Sequence, residues 1–170
     1  MKRQTIAVTS IILFSLAIIL FNIFSNRIGF TDSAEYIDVA KAIAGLINTN
    51  VFVMHSIVYS LFLGIFLKIF PYLLTLKLLN AVWLILDAIL IYLIAKDKKA
   101  LYIWIFSPIA YYMSTWISPM LPISFLFLLS YYYIKRYEAD NKLIYLAVSA
   151  LSIGLIAALR EQMIAVAGLF

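Results

Sequence analysis

The sequence predicts an all-α polytopic membrane protein, and two observations carry that expectation. Six long apolar stretches fill almost the whole chain, and a short polar segment, 31–50, between the first two holds three of the eight acids. Hydrophobic residues make up 66% and charged residues 12%, whereas about a quarter of an ordinary soluble domain is charged. Runs of about 18 or more residues without interior charge can cross a hydrocarbon core roughly 30 Å thick. The expected architecture is one integral membrane domain over 1–170, with five or six membrane segments and one interfacial amphipathic helix. The cell membrane is the expected location, with several passes.

Thr5 to Phe24 is the first expected span. It is longer than a signal-peptide core and no small-residue cleavage site follows, so an uncleaved anchor is expected, with Lys2 and Arg3 in the cytoplasm. The segment 31–50 reads as an outer loop with a helix in it. Asp32 can cap, Glu35 follows three residues on, and Gly45 offers a stop. Tyr36, Ile37, Val39, Ala40, Ile43, Ala44 and Ile47 recur at helical spacing, while Glu35, Asp38 and Lys41 share another face. Such a helix lies in the interface rather than across it. Further apolar runs follow over Val51–Phe70, Leu73–Ala95, Ala100–Ile117, Ile123–Tyr137 and Leu143–Leu159. Ser107-Pro108 predicts a kink in the fourth of all six. Met163 to Phe170 starts another apolar stretch.

The basic residues cluster beside the apolar runs, as Lys2/Arg3, Lys96/Lys98/Lys99 and Lys135/Arg136/Lys142. Basic clusters so placed set orientation and meet anionic headgroups. They form no stripe on a soluble face, so the net charge of +5 does not point to nucleic acid. The first two clusters both favour the cytoplasm, yet three apolar runs separate them. Val51–Phe70 is therefore expected to enter and return without crossing. That arrangement puts 31–50, the stretch 117–122 and Arg160 on the outer face.

Cysteine is absent, which excludes thiolate chemistry, and the single histidine, His55, excludes a multi-histidine metal centre. The reading calls for no cofactor and no metal. Asp32 is the best placed of the three acids to accept a proton from a nucleophile, because it is expected to precede the helix and face a cavity. Arg160 follows an apolar helix; its guanidinium suits a phosphate, and pairing with Glu161 is the other reading. Asp87, with Asn80 on the same helix face, suits packing or pairing with a base on another helix. His55 suits a phosphate or a headgroup. Trp104, Trp116 and the tyrosine clusters read as interfacial belts.

Several short motifs resemble one family in order. Asp32-Ser33-x-x-Tyr36-x-x-x-Ala40, ending near Gly45, resembles the first outer loop of the GT-C glycosyltransferases of the protein mannosyltransferase-like group. His55-x-x-x-Tyr59, Leu78-Leu79-Asn80-Ala81, Ser107-Pro108 and Leu159-Arg160 resemble that family's later motifs. The resemblance runs to about Arg160 and implies the N-terminal portion of a larger transferase, with a second chain able to supply further helices. It departs at Ser60, where the family has proline, and over 114–119, which holds no second acid. The implied reaction transfers a sugar from a polyprenyl-phosphate carrier in the membrane lipid to an acceptor at the outer face. Asp32 would be the catalytic base, with Arg160, His55 and Glu35 as substrate-binding residues. The alternative expectation is a non-enzymatic multi-spanning protein, a transporter subunit or assembly partner, with Asp87, Arg160 and Glu161 pairing helices.

Overall fold

The computed structural model describes residues 2–25, 31–48, 53 and 55–160. Among them the chain is all-helical, with eight helices and no strand. These are α1 (Lys2–Phe24), α2 (Thr31–Ile43), α3 (Ile57–Ile69), α4 (Leu73–Ala95), α5 (Lys98–Ile105), α6 (Pro108–Ser114), α7 (Met120–Asp140) and α8 (Leu143–Leu159). Glu161 and the apolar run after it lie outside the described residues.

Each boundary has a local cause. Gly45 adopts φ +74°, and the N–H groups of Gly45 and Leu46 bond the carbonyls of Ala42 and Lys41. This left-handed closure ends α2 where the glycine predicts. Lys96 and Asn141 close α4 and α7 with φ near +50°, and the Asp97 carboxylate caps α5 through the Lys99 N–H at 3.0 Å. The expected kink is a full break: Pro108 cannot donate to the α5 ladder, so it opens a new helix instead. α7 starts earlier than expected, at Met120, because Pro119 and Pro122 fall at its cap and first turn, where a missing N–H costs nothing. Asp32 departs from its expected place. α2 already begins at Thr31, so Asp32 lies inside the first turn rather than before it, where the helix dipole favours an acid.

α4 is the central element and packs on α1, α3, α5, α6 and α7. α8 lies on α7 and α3, and α2 lies on α3. The α2–α3 approach is close at Gly64, where a Cβ would sit 2.8 Å from Ile43 Cγ2 and 3.1 Å from the Ala40 carbonyl oxygen. Two cores result. One gathers Tyr36, Tyr59, Leu63, Leu76, Ile123 and Ile156 from α2, α3, α4, α7 and α8. The other gathers Ala7, Phe14, Ile18, Leu84, Ala88 and Leu101 from α1, α4 and α5.

The contacts also sort the helix ends. Lys77 near the start of α4 donates to the Ser25 carbonyl just after α1. Asn80 reaches the carbonyls of Ser114 and Trp116, between α6 and α7. Ser56, before α3, donates to the Ala158 carbonyl near the end of α8 at 2.6 Å. All of these lie at one end of the bundle. At the other end, the last turn of α4 shares a cavity with the last turns of α7, and Ser10 of α1 meets Tyr102 of α5 at 3.4 Å. α3 starts beside the end of α8 and finishes just before the start of α4. Its 13 residues span only about 20 Å.

Two helical stretches, Thr5–Phe24 and Leu73–Ala95, are long and apolar enough to cross a membrane. Ile57–Ile69 and Leu143–Leu159 are apolar but shorter, so length and composition alone give fewer spans than the five or six expected.

Candidate functional site

Where α2 begins, α7 begins and α8 ends, a cavity of about 280 Å³ opens among Asp32, Ser33, Tyr36, His55, Trp116, Ser118, Pro119, Met120 and Arg160. Each wall has its own origin. Asp32 and Tyr36 are one helical turn apart on α2, so they share a face. Trp116 and Ser118 come from the irregular backbone between α6 and α7. That backbone is tied to α4 by the Asn80 side chain, which donates to the Ser114 carbonyl at 3.3 Å and also to the Trp116 carbonyl.

His55 is fixed from behind. Glu35 takes its backbone N–H on one carboxylate oxygen at 2.9 Å and its ring Nδ1 on the other at 2.8 Å. The imidazole also lies 5.4 Å from the Tyr36 ring, which in turn meets Tyr59 edge-on at 5.1 Å. Glu35 thus takes a different place from the one expected: it holds His55 and does not line the cavity. A carboxylate on one ring nitrogen settles the tautomer and leaves Nε2 for other partners.

Arg160 is the residue at which α8 stops. Its N–H closes the last turn on the Ile156 carbonyl at 3.1 Å, and its own backbone is extended. The guanidinium then reaches the cavity, with Nη1 3.0 Å from Met120 Sδ. Burial raises the pKa of the Tyr36 phenol above its ordinary value; Arg160 works against this, and Asp32 and Glu35 add to it. All three charges therefore act on one group.

Asp32, His55 and Arg160, far apart in sequence, face one space. Tyr36, Trp116, Ser118 and Met120 were not expected there as site residues. Tyr36 carried a signal, since it belongs to the helical motif that begins at Asp32. Ser118 carried none, because it sits on aperiodic backbone. Its side chain is only 7% exposed, and its hydroxyl finds no partner among the described residues. Asp87, by contrast, is fully buried away from the cavity. No base pairs with it among the described residues, and Ser124 of α7 is the polar side chain that faces it.

An acid, an anchored imidazole, a guanidinium and an unpartnered hydroxyl around one small cavity can bind a phosphorylated ligand and accept a proton beside it. No family model, curated protein or solved structure matches the chain.

Proposed function

We propose that the chain is a multi-pass membrane protein and a glycosyltransferase, or a portion of one, that uses a polyprenyl-phosphate sugar. The observation that carries the reading is the cavity that brings Asp32, His55 and Arg160 together. Asp32 takes the proton of the acceptor hydroxyl or amine as it attacks the anomeric carbon. The bond from that carbon to the lipid phosphate breaks; the Arg160 guanidinium holds the charge on the departing phosphate, and His55, with Nδ1–H on Glu35, adds an Nε2–H donor in its protonated form. Glu35 keeps His55 in register for this.

Several features support the membrane reading. Only 22% of the apolar window of α1 and 33% of that of α4 is buried, whereas a core helix of a soluble protein is mostly buried. Leu13 and Phe24 of α1 are 62% and 79% exposed, an apolar surface that water would penalise. The net positive charge is unevenly placed. The basic clusters near Lys2, Lys96 and Lys135 outnumber Asp97, Glu138 and Asp140 at one end, whereas at the other Asp32, Glu35 and Asp38 are matched by Lys41, Lys68, Lys77 and Arg160. In this reading α1, α4, the α5–α6 pair, α7 and α8 make five passes, with the basic end cytoplasmic. α2 lies at the outer interface and α3 dips in and returns.

The non-enzymatic alternative uses Asp87 and Arg160 to pair helices. It is weakened because Arg160 turns to the cavity and Asp87 meets no base among the described residues. Membranes containing the chain, supplied with a labelled polyprenyl-phosphate sugar, provide the test. Asp32→Asn is expected to lower transfer by a factor of about 10² to 10⁴ while insertion is unchanged. Transfer at the normal rate by that variant would remove Asp32 from the mechanism.

A further inference from the structure

A cavity larger than that of the candidate site lies at the opposite end. It is about 840 Å³, between the last turns of α4 and α7, with Tyr92, Lys96, Tyr131, Tyr132, Lys135 and Arg136 in its walls. A second hollow of about 250 Å³ shares Tyr92 and Lys96 with it and adds Asp97, Lys98 and Lys99. The two adjoin at Tyr92 and Lys96. Neither contains a residue of the proposed transferase site, and Met120 and Arg136 are about 24 Å apart along α7.

The geometry points to a binding site for the phosphate headgroup of an anionic phospholipid in the leaflet on the basic side. Three observations fit this occupant. The first is charge: Lys96, Lys98, Lys99, Lys135 and Arg136 surround the two hollows. Asp97, Glu138 and Asp140 are the acids nearby, and Lys96 has no ion-pair partner among the described residues. Lys135 pairs with Glu138 at 2.8 Å and Arg136 with Asp140 at 3.1 Å. Both pairs are exposed and join neighbours on one helix, so they contribute little and can be exchanged for phosphate.

The second observation is that phenols stand among the cations. The Lys135 ammonium lies 5.8 Å from the Tyr131 ring centre, and Arg136 lies 5.6 Å from that of Tyr145. Cations so braced present their N–H groups in a fixed direction, and tyrosine hydroxyls add donors at the depth where headgroups lie. The third is that the same cavity is floored by apolar side chains. Leu93, in its wall, is 42% exposed and offers an acyl chain a path away from the charge. A free phosphate would use the cations and leave that apolar wall wet, so the combination selects a lipid. Basic hollows between membrane helices on the cytoplasmic side are the expected seats for such headgroups.

This inference rests on the membrane reading and is independent of the transferase reading. It is tested on the purified full chain in neutral detergent, by titrating phosphatidylglycerol and phosphatidylcholine and counting retained lipids by native mass spectrometry. Phosphatidylglycerol is expected to bind at least about tenfold more tightly. The pair Lys96→Gln with Arg136→Gln is expected to abolish that preference and leave phosphatidylcholine retention unchanged. Should the double variant misfold, Lys96→Gln alone, at an exposed position, is expected to lose part of the preference. Equal retention of the two lipids, or an undiminished preference in a folded variant, would overturn the proposal. Displacement of the lipid by inorganic phosphate at comparable concentration would overturn it as well, by identifying a free-anion site.

Discussion

The two cores are built differently. Around α1, α4 and α5, four of ten buried cluster members are alanine: Ala7, Ala81, Ala88 and Ala110. Around α2, α3, α7 and α8, one of twelve is alanine, Ala40, and two are tyrosines. Small side chains let helix backbones approach closely, and in lipid such packing replaces the hydrophobic effect as the main attraction between helices. In the second core the close approach is local, at Gly64 between α2 and α3, and larger side chains fill the rest. The first core is thus a frame rich in small residues, and the second is the housing beside which the Asp32 cavity opens.

That contrast can be broken from either side. In the housing, Leu63 is 1% exposed between α2 and α4. Leu63→Ala is expected to cost about 3 kcal/mol, read by equilibrium unfolding in mixed detergent micelles, and to reduce the rigidity of α2 with it. In the frame, Ala88 is fully buried, and enlarging it is the damaging change. Ala88→Leu is expected to cost about 2 kcal/mol by overpacking, in the same assay, with less effect on chemistry at the cavity. If shrinking and enlarging had the same effect at both positions, the distinction between frame and housing would be lost.

The smallest expected effect concerns Tyr36. Its raised pKa means that the folded chain keeps the phenolic proton above the ordinary value of 10.0. The stability linked to that proton is present below pH 10 and is lost as pH rises through the raised value. An ultraviolet titration of the folded chain against a Tyr36→Phe variant is expected to show one tyrosine ionising late. An unshifted titration would mean that the wall around Tyr36 is open to water.

Some of this was legible in the residues. α4 and α8 run between the expected bounds because Pro71, Lys96, Lys142 and Arg160 punctuate long apolar runs sharply. The second apolar run was less readable, since its hydropathy starts at Val51 while α3 is capped by Ser56 and begins at Ile57. The Schellman closure at Gly45 followed from the glycine alone. The site was legible only through the order of its motifs, since nothing periodic links Asp32 to Arg160. The supporting role of Glu35 depends on a bond to His55 twenty positions away, which no local pattern encodes. Trp116 and Ser118 were hidden by resembling a connection.

Ser56 has a consequence for how the site moves. Its single hydroxyl accepts from Val58 at the start of α3 and donates to Ala158 near the end of α8. His55 precedes that hydroxyl by one residue, and Arg160 follows its acceptor by two. Imidazole and guanidinium are thus tied through one shared hydroxyl. Asp32 is held to the same point twice over, by the Glu35 bonds to His55 and by the packing of α2 on α3 at Tyr59 and Gly64. Loosening the Glu35 bonds alone would therefore free the imidazole before it freed the acid.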